Sequence, residues 1–244
     1  MSIATPLFSS SSSLQWLQAE GWDRFPGLLH GFSGRVQDRA EIHSRCKAAS
    51  LDLYTLKQVH GDNILIINND VNEEEKLEAD GMITNEPGSL LGITTADCVP
   101  VLMVAPQLGL AAALHAGWRG TLKGISKKAI GKFTQTWGVA PQQVWVALGP
   151  AIDVCCYEVG REVGEALRAG WGTQDSPVWH PQGEKGFLDL RAINRRQCEQ
   201  AGIPREQIQL IGPCTFCDAS GFASYRREGP RAGRQLSVIG WQRN

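Results

Sequence analysis

Ser89-Leu-Leu-Gly-Ile-Thr-Thr-Ala-Asp-Cys-Val-Pro-Val-Leu-Met-Val104, followed after Ala105-Pro-Gln107 by Leu108-Gly-Leu-Ala-Ala-Ala-Leu-His-Ala-Gly-Trp-Arg-Gly120, decides the fold. The first segment reads as strand, short break and strand. Pro106 and Gln107 read as a turn, and Leu108–Leu114 as the returning strand. Folding that hairpin about the Pro106–Gln107 midpoint sets Cys98 directly opposite His115. Directly opposed residues of an antiparallel pair have Cβ atoms roughly 4.5–5.5 Å apart, so thiol and imidazole could share a metal or a proton. Pro106 at the first central position suits a type I turn better than the primed hairpin turns. A longer loop with a shifted register is therefore the alternative, and register decides which face a side chain takes.

A Gly-Trp-Arg-Gly turn follows His115 and feeds an amphipathic helix, with Leu122, Ile125, Ala129, Phe133 and Trp137 at helical spacing. A strand that stops at a glycine turn and enters a helix points backbone N–H groups and the helix dipole at an anion. Arg119 adds a planar cationic fork suited to phosphate or carboxylate. Trp118 is the one tryptophan of this turn and could stack on a base; the others are read as core.

His60, in Leu56-Lys-Gln-Val-His-Gly-Asp-Asn-Ile64, offers a third ligand. Two His and one Cys from separate strands match an open zinc site, with three protein ligands and one free position. The spacings, 38 and 17 residues, are unlike a zinc finger. The bland alternative makes His60 a strand-end histidine and Cys98 a small buried hydrophobe. Asp97 reads as a carboxylate supporting the site, a general base or a turn former, and Asp80 as a turn residue or a functional acid.

The 244 residues are 42% hydrophobic, enough for a full core. A formal charge of −1 argues against a general nucleic-acid binder, and Lys127-Lys128, Arg195-Arg196 and Arg226-Arg227 read as solvated faces. No apolar run reaches the roughly 18 residues of a membrane helix, and no secretory pattern opens the chain. Seven cysteines, an odd number, then suggest reduced thiols in the cytoplasm. Cys155-Cys156 and Cys214-x-x-Cys217 are read as buried thiols rather than a second metal site, because adjacent cysteines are poorly spaced for structural zinc.

Candidate strands are Asn63–Asn68, Met82–Thr84, Leu90–Thr94, Val101–Val104, Leu108–Leu114, Val144–Leu148 and Ile208–Ile211. Candidate helices are Leu122–Trp137, Val159–Ala169 and Arg191–Ala201. Glu158 opens the second of these, as a dipole partner or catalytic acid. Asp189 is either buried and paired or at a strand edge. Helices alternate with strands only in the second half, which favours an α+β class over a doubly wound sheet. Residues 1–13, with the Ser9–Ser13 run, read as a flexible tail, and residues 14–244 as one catalytic domain.

A series of blocks resembles a known family. They are Lys57-Gln-Val-His-Gly61, Ala79-Asp-Gly-Met-Ile-Thr84, Thr94-Thr-Ala-Asp-Cys-Val-Pro100, Leu114-His-Ala-Gly-Trp-Arg-Gly120, Leu148-Gly-Pro-Ala-Ile152, Cys156-Tyr-Glu-Val159, Leu188-Asp-Leu190, Cys214-Thr-Phe-Cys217, Ser224-Tyr-Arg-Arg-Glu-Gly229 and Gly233-Arg234. In this order they resemble the laccase-domain, or polyphenol oxidoreductase-like, family. Its members are described as zinc-containing purine nucleoside phosphorylases that also deaminate adenosine. The resemblance implies a helix/sheet/sheet/helix fold with mixed sheets. It implies zinc at His60, Cys98 and His115, with adenosine, inosine and methylthioadenosine as substrates. The implied partners are a small nucleoside and phosphate, with no nucleic acid and no membrane. In the chemistry it implies, Cys98, His115, Asp97 and Asp80 are catalytic, and Arg119, Arg35 and Trp118 bind substrate or phosphate. Arg35 sits in His30-Gly-Phe-Ser-Gly-Arg35, after which this chain lacks the family's glycine-rich stretch.

Five histidines, His30, His43, His60, His115 and His180, are too few for a multicopper laccase. One His2Cys copper site with a loose Met82 or Met103 remains an alternative to zinc. Met103 lies five residues after Cys98 on an alternating strand, so it faces the other side and packs the core. The rival from another class is a metal-free cysteine hydrolase, of amidase or deamidase type, in which His115 activates Cys98.

Overall fold

Val99–Ala105 and Leu110–Ala116 form the expected hairpin at the centre of a six-stranded sheet. The computed structural model describes residues 16–36, 39–68, 70–72, 77–171 and 178–243; the expected tail, 1–13, lies outside them. The strands in chain order are β1 (Trp16–Leu17), β2 (Leu28–Val36), β3 (Asp52–Thr55), β4 (Ile64–Ile66), β5 (Gly81–Thr84), β6 (Ser89–Thr95), β7 (Val99–Ala105), β8 (Leu110–Ala116), β9 (Trp145–Leu148), β10 (Glu158–Gly160), β11 (Trp179–Gln182), β12 (Lys185–Leu188), β13 (Ile208–Leu210) and β14 (Arg234–Trp241). The helices are α1 (Arg39–Ala48), α2 (Trp118–Leu122), α3 (Ile125–Trp137), α4 (Arg161–Trp171), α5 (Leu190–Gln200) and α6 (Tyr225–Glu228).

Three sheets result: β13-β9-β7-β8-β5-β4, β1-β2-β14-β6-β3 and a small β10-β12-β11. The first two are mixed, since β4–β5, β9–β13 and β3–β6 pair in parallel and the remaining neighbours antiparallel. The apolar run of β7 is continuous because both its faces are buried. Val101 and Met103 pack under α3 and α5, while Leu102 and Val104 face the second sheet through Phe32, Leu91 and Ile239. On the outer face of that sheet, Leu53, Leu90, Leu236 and Val238 are covered by Ile42 and Cys46 of α1. The order is thus helix, sheet, sheet, helix, the α+β arrangement expected from the sequence. Met103 and Met82 are both fully buried in these layers.

The hairpin register differs from the simple fold-over. Pro106–Leu108 is a 3-10 turn closed by Gly109 at φ 60°, so the loop is longer than two residues. His115 consequently faces Pro100, and Cys98 lies two positions further along, before β7 begins. An even shift keeps every side chain on its face, so Cys98 becomes the diagonal neighbour of His115.

The Gly-Trp-Arg-Gly segment is also not a free turn. Gly117 caps α2, which runs through Trp118, Arg119 and Gly120; the chain breaks at Gly124, at φ 78°, and α3 begins at Ile125. Gly120 is required: a Cβ there would lie 2.5 Å from the Gly61 carbonyl oxygen. A buried polar network fixes α2 on α5. Asn194 donates to Thr121 Oγ1 at 2.9 Å, Gln197 to the Thr121 carbonyl at 2.6 Å, and Ser126 Oγ to Asn194 at 2.8 Å.

One side-chain reading is corrected and another is narrowed. Glu158 begins a strand, not a helix, and pairs with Lys185 across it. Asp189 is the N-cap of α5 and accepts from the Ala192 N–H at 2.8 Å.

Candidate metal centre and pocket

Asp80 organises the site. It is fully buried just before β5, and its carboxylate accepts from the backbone N–H groups of Val59 (3.3 Å), His60 (2.9 Å) and Gly61 (2.6 Å). The same carboxylate meets His115 Nδ1 at 2.7 Å, and the Asp80 carbonyl accepts the His115 N–H at 2.7 Å. One residue thus shapes the His60 loop and fixes the His115 ring. With Nδ1 engaged, Nε2 is the nitrogen left for a ligand, the arrangement of a carboxylate–histidine–metal triad. Burial pushes the Asp80 carboxyl up, but His115 and the backbone N–H donors outweigh it and hold the group ionised.

His60 adopts φ +59°, a left-handed conformation more tolerable for histidine than for most residues. Its ring meets that of His115 edge-on, with centroids 4.8 Å apart. The donor atoms of His60, Cys98 and His115 all lie within 4.8 Å of one another. Gly117 closes the group: a Cβ there would sit 3.2 Å from Cys98 Sγ and 3.3 Å from His60 Cδ2. Burial alone would raise the Cys98 thiol, but the charges and hydrogen bonds of His115 and His60 bring it well below its ordinary value. His115 is shifted upward despite its burial, through Cys98 and Asp80. Two imidazoles and a readily ionised thiol, with a carboxylate behind one ring, fit a divalent ion such as zinc.

The trio opens on a pocket of about 600 Å³, within the usual range for small-ligand sites. Asp97, Trp118 and Arg119 line it. Asp97, at φ +86°, accepts from Thr215 Oγ1 at 2.8 Å and from the Arg226 N–H at 2.7 Å. The Arg119 guanidinium lies 4.4 Å above the Trp118 ring. Arg35 is elsewhere: it makes a two-pronged ion pair with Glu228 at 2.9 and 2.6 Å and donates to the Phe222 carbonyl.

Several lining residues escape the sequence reading, among them Gln58, Tyr157, Tyr225, Arg226 and Arg234. Arg226 is exposed, as a solvated basic face would be, but it also lines the pocket. Its guanidinium donates to the Glu158 carbonyl at 2.7 Å and lies 5.3 Å from the Tyr157 ring centre. Arg227 beside it donates to the Thr215, Phe216 and Phe222 carbonyls and to Glu228. The signal was present in the Ser224–Gly229 and Gly233-Arg234 blocks, which carry charge with no helical or strand period. The remaining histidines lie outside the pocket lining, with His30 buried against Trp22, His43 on α1 and His180 exposed on β11.

Of the four cysteines read as buried thiols, Cys214 is buried and Cys156 half-buried. Cys155 and Cys217 are exposed, and the sulfurs of Cys155, Cys156, Cys214 and Cys217 converge within 4.8 Å of one another.

A family model described as multi-copper polyphenol oxidoreductase laccase matches residues 35–242. A protein of Geobacillus stearothermophilus named purine nucleoside phosphorylase YlmD is 40% identical over 162 residues, 66% of this chain and 59% of its own length. The matched stretch thus spans less than two-thirds of that relative. A protein named adenosine deaminase, from an unknown prokaryotic organism, is 36% identical over 77% of this chain and 74% of its own length. The crystal structure of YlmD from Geobacillus stearothermophilus superposes with a TM-score of 0.84 at 29% identity, covering 97% of this chain and 99% of that one. No helix among the described residues is long and apolar enough to cross a membrane.

Proposed function

Because the chain belongs to the family described as multi-copper polyphenol oxidoreductase laccase, we propose that it is a purine nucleoside phosphorylase that also deaminates adenosine. The observation that carries this reading is the convergence of His60, Cys98 and His115 on a pocket rimmed by Arg119, Arg226 and Arg234. The names of relatives support it, with phosphorylase and adenosine deaminase both represented. The proposed substrates are adenosine, inosine and methylthioadenosine, with phosphate as the second reactant.

The ion proposed for the trio is zinc, because two imidazoles and one thiolate leave a fourth position free. When bound, zinc supplies a Lewis acid that makes water a nucleophile near neutral pH. Copper is the alternative suggested by the family's description, but two histidines in the pocket cannot build a multicopper cluster.

In phosphorolysis, a phosphate oxygen attacks the anomeric carbon of the ribose while the purine departs from it. The pocket's contribution is to hold phosphate and nucleoside in line. Arg119 provides a charged fork for the phosphate, and Arg226 and Arg234 add positive potential around it. Trp118, Tyr157 and Tyr225 give flat apolar surface for the purine. Asp80 orients His115 and has no spare role in proton transfer, since four donors already occupy it. Asp97, a residue of the pocket lining held by Thr215 and Arg226, is the group proposed to take a proton from the nucleoside or from water. Seven cysteines, an odd number with none in a disulfide, favour a reducing compartment, and the cytoplasm is the proposed location.

Arg119→Ala tests the phosphate assignment. Loss of a charge-assisted contact of about 1.5–3 kcal/mol should raise the phosphate requirement of inosine cleavage roughly 10- to 150-fold. Adenosine deamination without phosphate should change far less. Arg119→Lys should restore part of the loss, because an ammonium is not a two-pronged donor. Equal losses in both reactions would show that Arg119 holds the nucleoside or the fold instead.

A second reading has one observation behind it: the Cys98 sulfur lies within 4.8 Å of a His115 ring nitrogen, and that ring is backed by Asp80 at 2.7 Å, with His115 lowering the thiol's pKa and Cys98 and Asp80 raising the imidazole's. That pair suits a metal-free cysteine hydrolase.

A further inference from the structure

We propose that Cys155, Cys156, Cys214 and Cys217 form a second metal centre, a tetrathiolate site that holds one structural zinc ion. The geometry argues first. The four sulfurs lie within 4.8 Å of one another, with Cys155 to Cys217 at 3.7 Å and Cys156 to Cys217 at 3.4 Å. A tetrahedron built on Zn–S bonds of about 2.3 Å has edges of about 3.8 Å. These separations are far longer than a disulfide bond of about 2.05 Å, and each cysteine is free.

The fold brings the two pairs together deliberately. β9 and β13 are parallel neighbours, and each cysteine pair sits on the loop that leaves one of their C-terminal ends. The loops are joined by a backbone bridge between Ala151 and Cys214, where the Thr215 N–H donates to the Ala151 carbonyl at 3.0 Å. Sequence spacing could not reveal this, because adjacent cysteines form a usable half-site only when a second chain segment faces them.

The local hydrogen bonding matches a metal-thiolate turn. Cys214 Sγ accepts from the Asp153 N–H at 3.3 Å, and the Phe216 and Cys217 N–H groups also point at it. Donors aimed at a sulfur favour its thiolate and fix its direction. Other contacts hold the loops rigid. Arg227 donates to the Thr215 and Phe216 carbonyls at 2.8 and 2.6 Å, and Arg191 pairs with Asp153. An all-sulfur tetrahedral set selects zinc or iron. Exposure of Cys155 and Cys217 gives an ion a way in.

The site has a structural consequence for the pocket. Tyr157 directly follows Cys156 and lines the pocket, while Thr215 directly follows Cys214 and holds Asp97. The ion therefore fastens two loops that carry one wall of the pocket.

The test is metal content of full-length protein expressed with zinc and purified under reduction. Cys155→Ser and Cys217→Ser should each lose one equivalent relative to wild type, whereas Cys98→Ala should keep that equivalent. Because a serine variant can misfold, Cys98→Ala protein loaded with cobalt gives a second readout. It should show the strong visible bands of tetrahedral cobalt thiolate, and X-ray absorption of its zinc form should find four sulfurs at about 2.3 Å. The proposal is overturned by equal zinc in wild type and Cys217→Ser, or by colourless cobalt-treated Cys98→Ala. It is equally overturned by iron with acid-labile sulfide, or by metal-free protein two hydrogens light with a disulfide in this cluster.

Discussion

Replacing Asp80 with Asn tests the logic of the site while changing almost no volume. The wild-type carboxylate receives four contacts, three from backbone N–H groups and one from His115 Nδ1. An amide keeps one acceptor oxygen and turns the other atom into a donor, so at least one of these donors must face an NH2 group. Leaving one buried donor unmade costs about 1–3 kcal/mol, and the remaining contacts lose their charge. Relief of the buried charge offsets part of this, so a net stability loss of roughly 2–3 kcal/mol is expected. The more specific effect is on metal binding. Freed from its carboxylate, the His115 ring no longer has a fixed tautomer, and affinity should fall about 10- to 100-fold. Competition against a chromophoric chelator measures the affinity, and urea unfolding of the metal-free protein measures stability. A folded Asp80→Asn protein that binds zinc within about twofold of wild type would show that Asp80 does not set the His115 ligand, and the reasoning would be wrong.

Gly120→Ala should destabilise the chain by well over 1 kcal/mol and loosen the His60 loop, because its Cβ would collide with the Gly61 carbonyl; Gly131→Ala, with open space around its Cβ, is the control in the same thermal melt. His30 should shape the acid limb of stability. Its ring is buried, accepts the Ala19 N–H at 3.1 Å and sits beside Trp22, and burial lowers its pKa from 6.5 to about 4 despite the nearby Asp23. The unfolded chain therefore takes up this proton first as pH falls. The contribution is complete above pH 6.5 and is lost progressively towards pH 4, by about 2 kcal/mol between pH 7.5 and pH 5. Urea unfolding of wild type and His30→Gln at those two pH values measures it; an identical acid loss in both proteins would count against the assignment.

The parts most legible in the sequence were those whose patterns are dense. The apolar run through β7 and β8 is long and uninterrupted, the helical spacing of Ile125 to Trp137 marks α3 although the break at Gly124 that separates Leu122 from it was not seen, and α4 and α5 were found within a few residues. The second sheet was harder to see. β2 carries His30, Gly31, Ser33 and Gly34 inside a strand, which breaks any alternation. Among the described residues of α1 only Ile42 and Cys46 are buried, too few to show a period. The β10-β12-β11 sheet is short and interrupted by Pro181 and Gly183. At the site, His60, Cys98 and His115 were legible because metal chemistry restricts the residue types. The hairpin register was off by two, yet an even error preserved the pairing of faces. The place of Arg226 in the pocket lining and the convergence of the four cysteines went unseen for a common reason. Both arise from segments far apart in sequence, and neither charge nor cysteine spacing within one segment reports that.

The central claim is that a metal-dependent nucleoside site is built from His60, Cys98 and His115. Purified wild type, His60→Ala and His115→Ala should be incubated with inosine and phosphate while free base and ribose 1-phosphate are measured, with zinc content determined on the same samples. The account predicts phosphate-dependent release of both products by wild type. It also predicts loss of the trio's zinc and at least a hundredfold loss of rate in each variant that remains folded, an effect of about 2.7 kcal/mol or more. Full activity in protein stripped of zinc, or no cleavage of any purine nucleoside by zinc-loaded wild type, would contradict it, and the first result would favour the Cys98–His115 hydrolase.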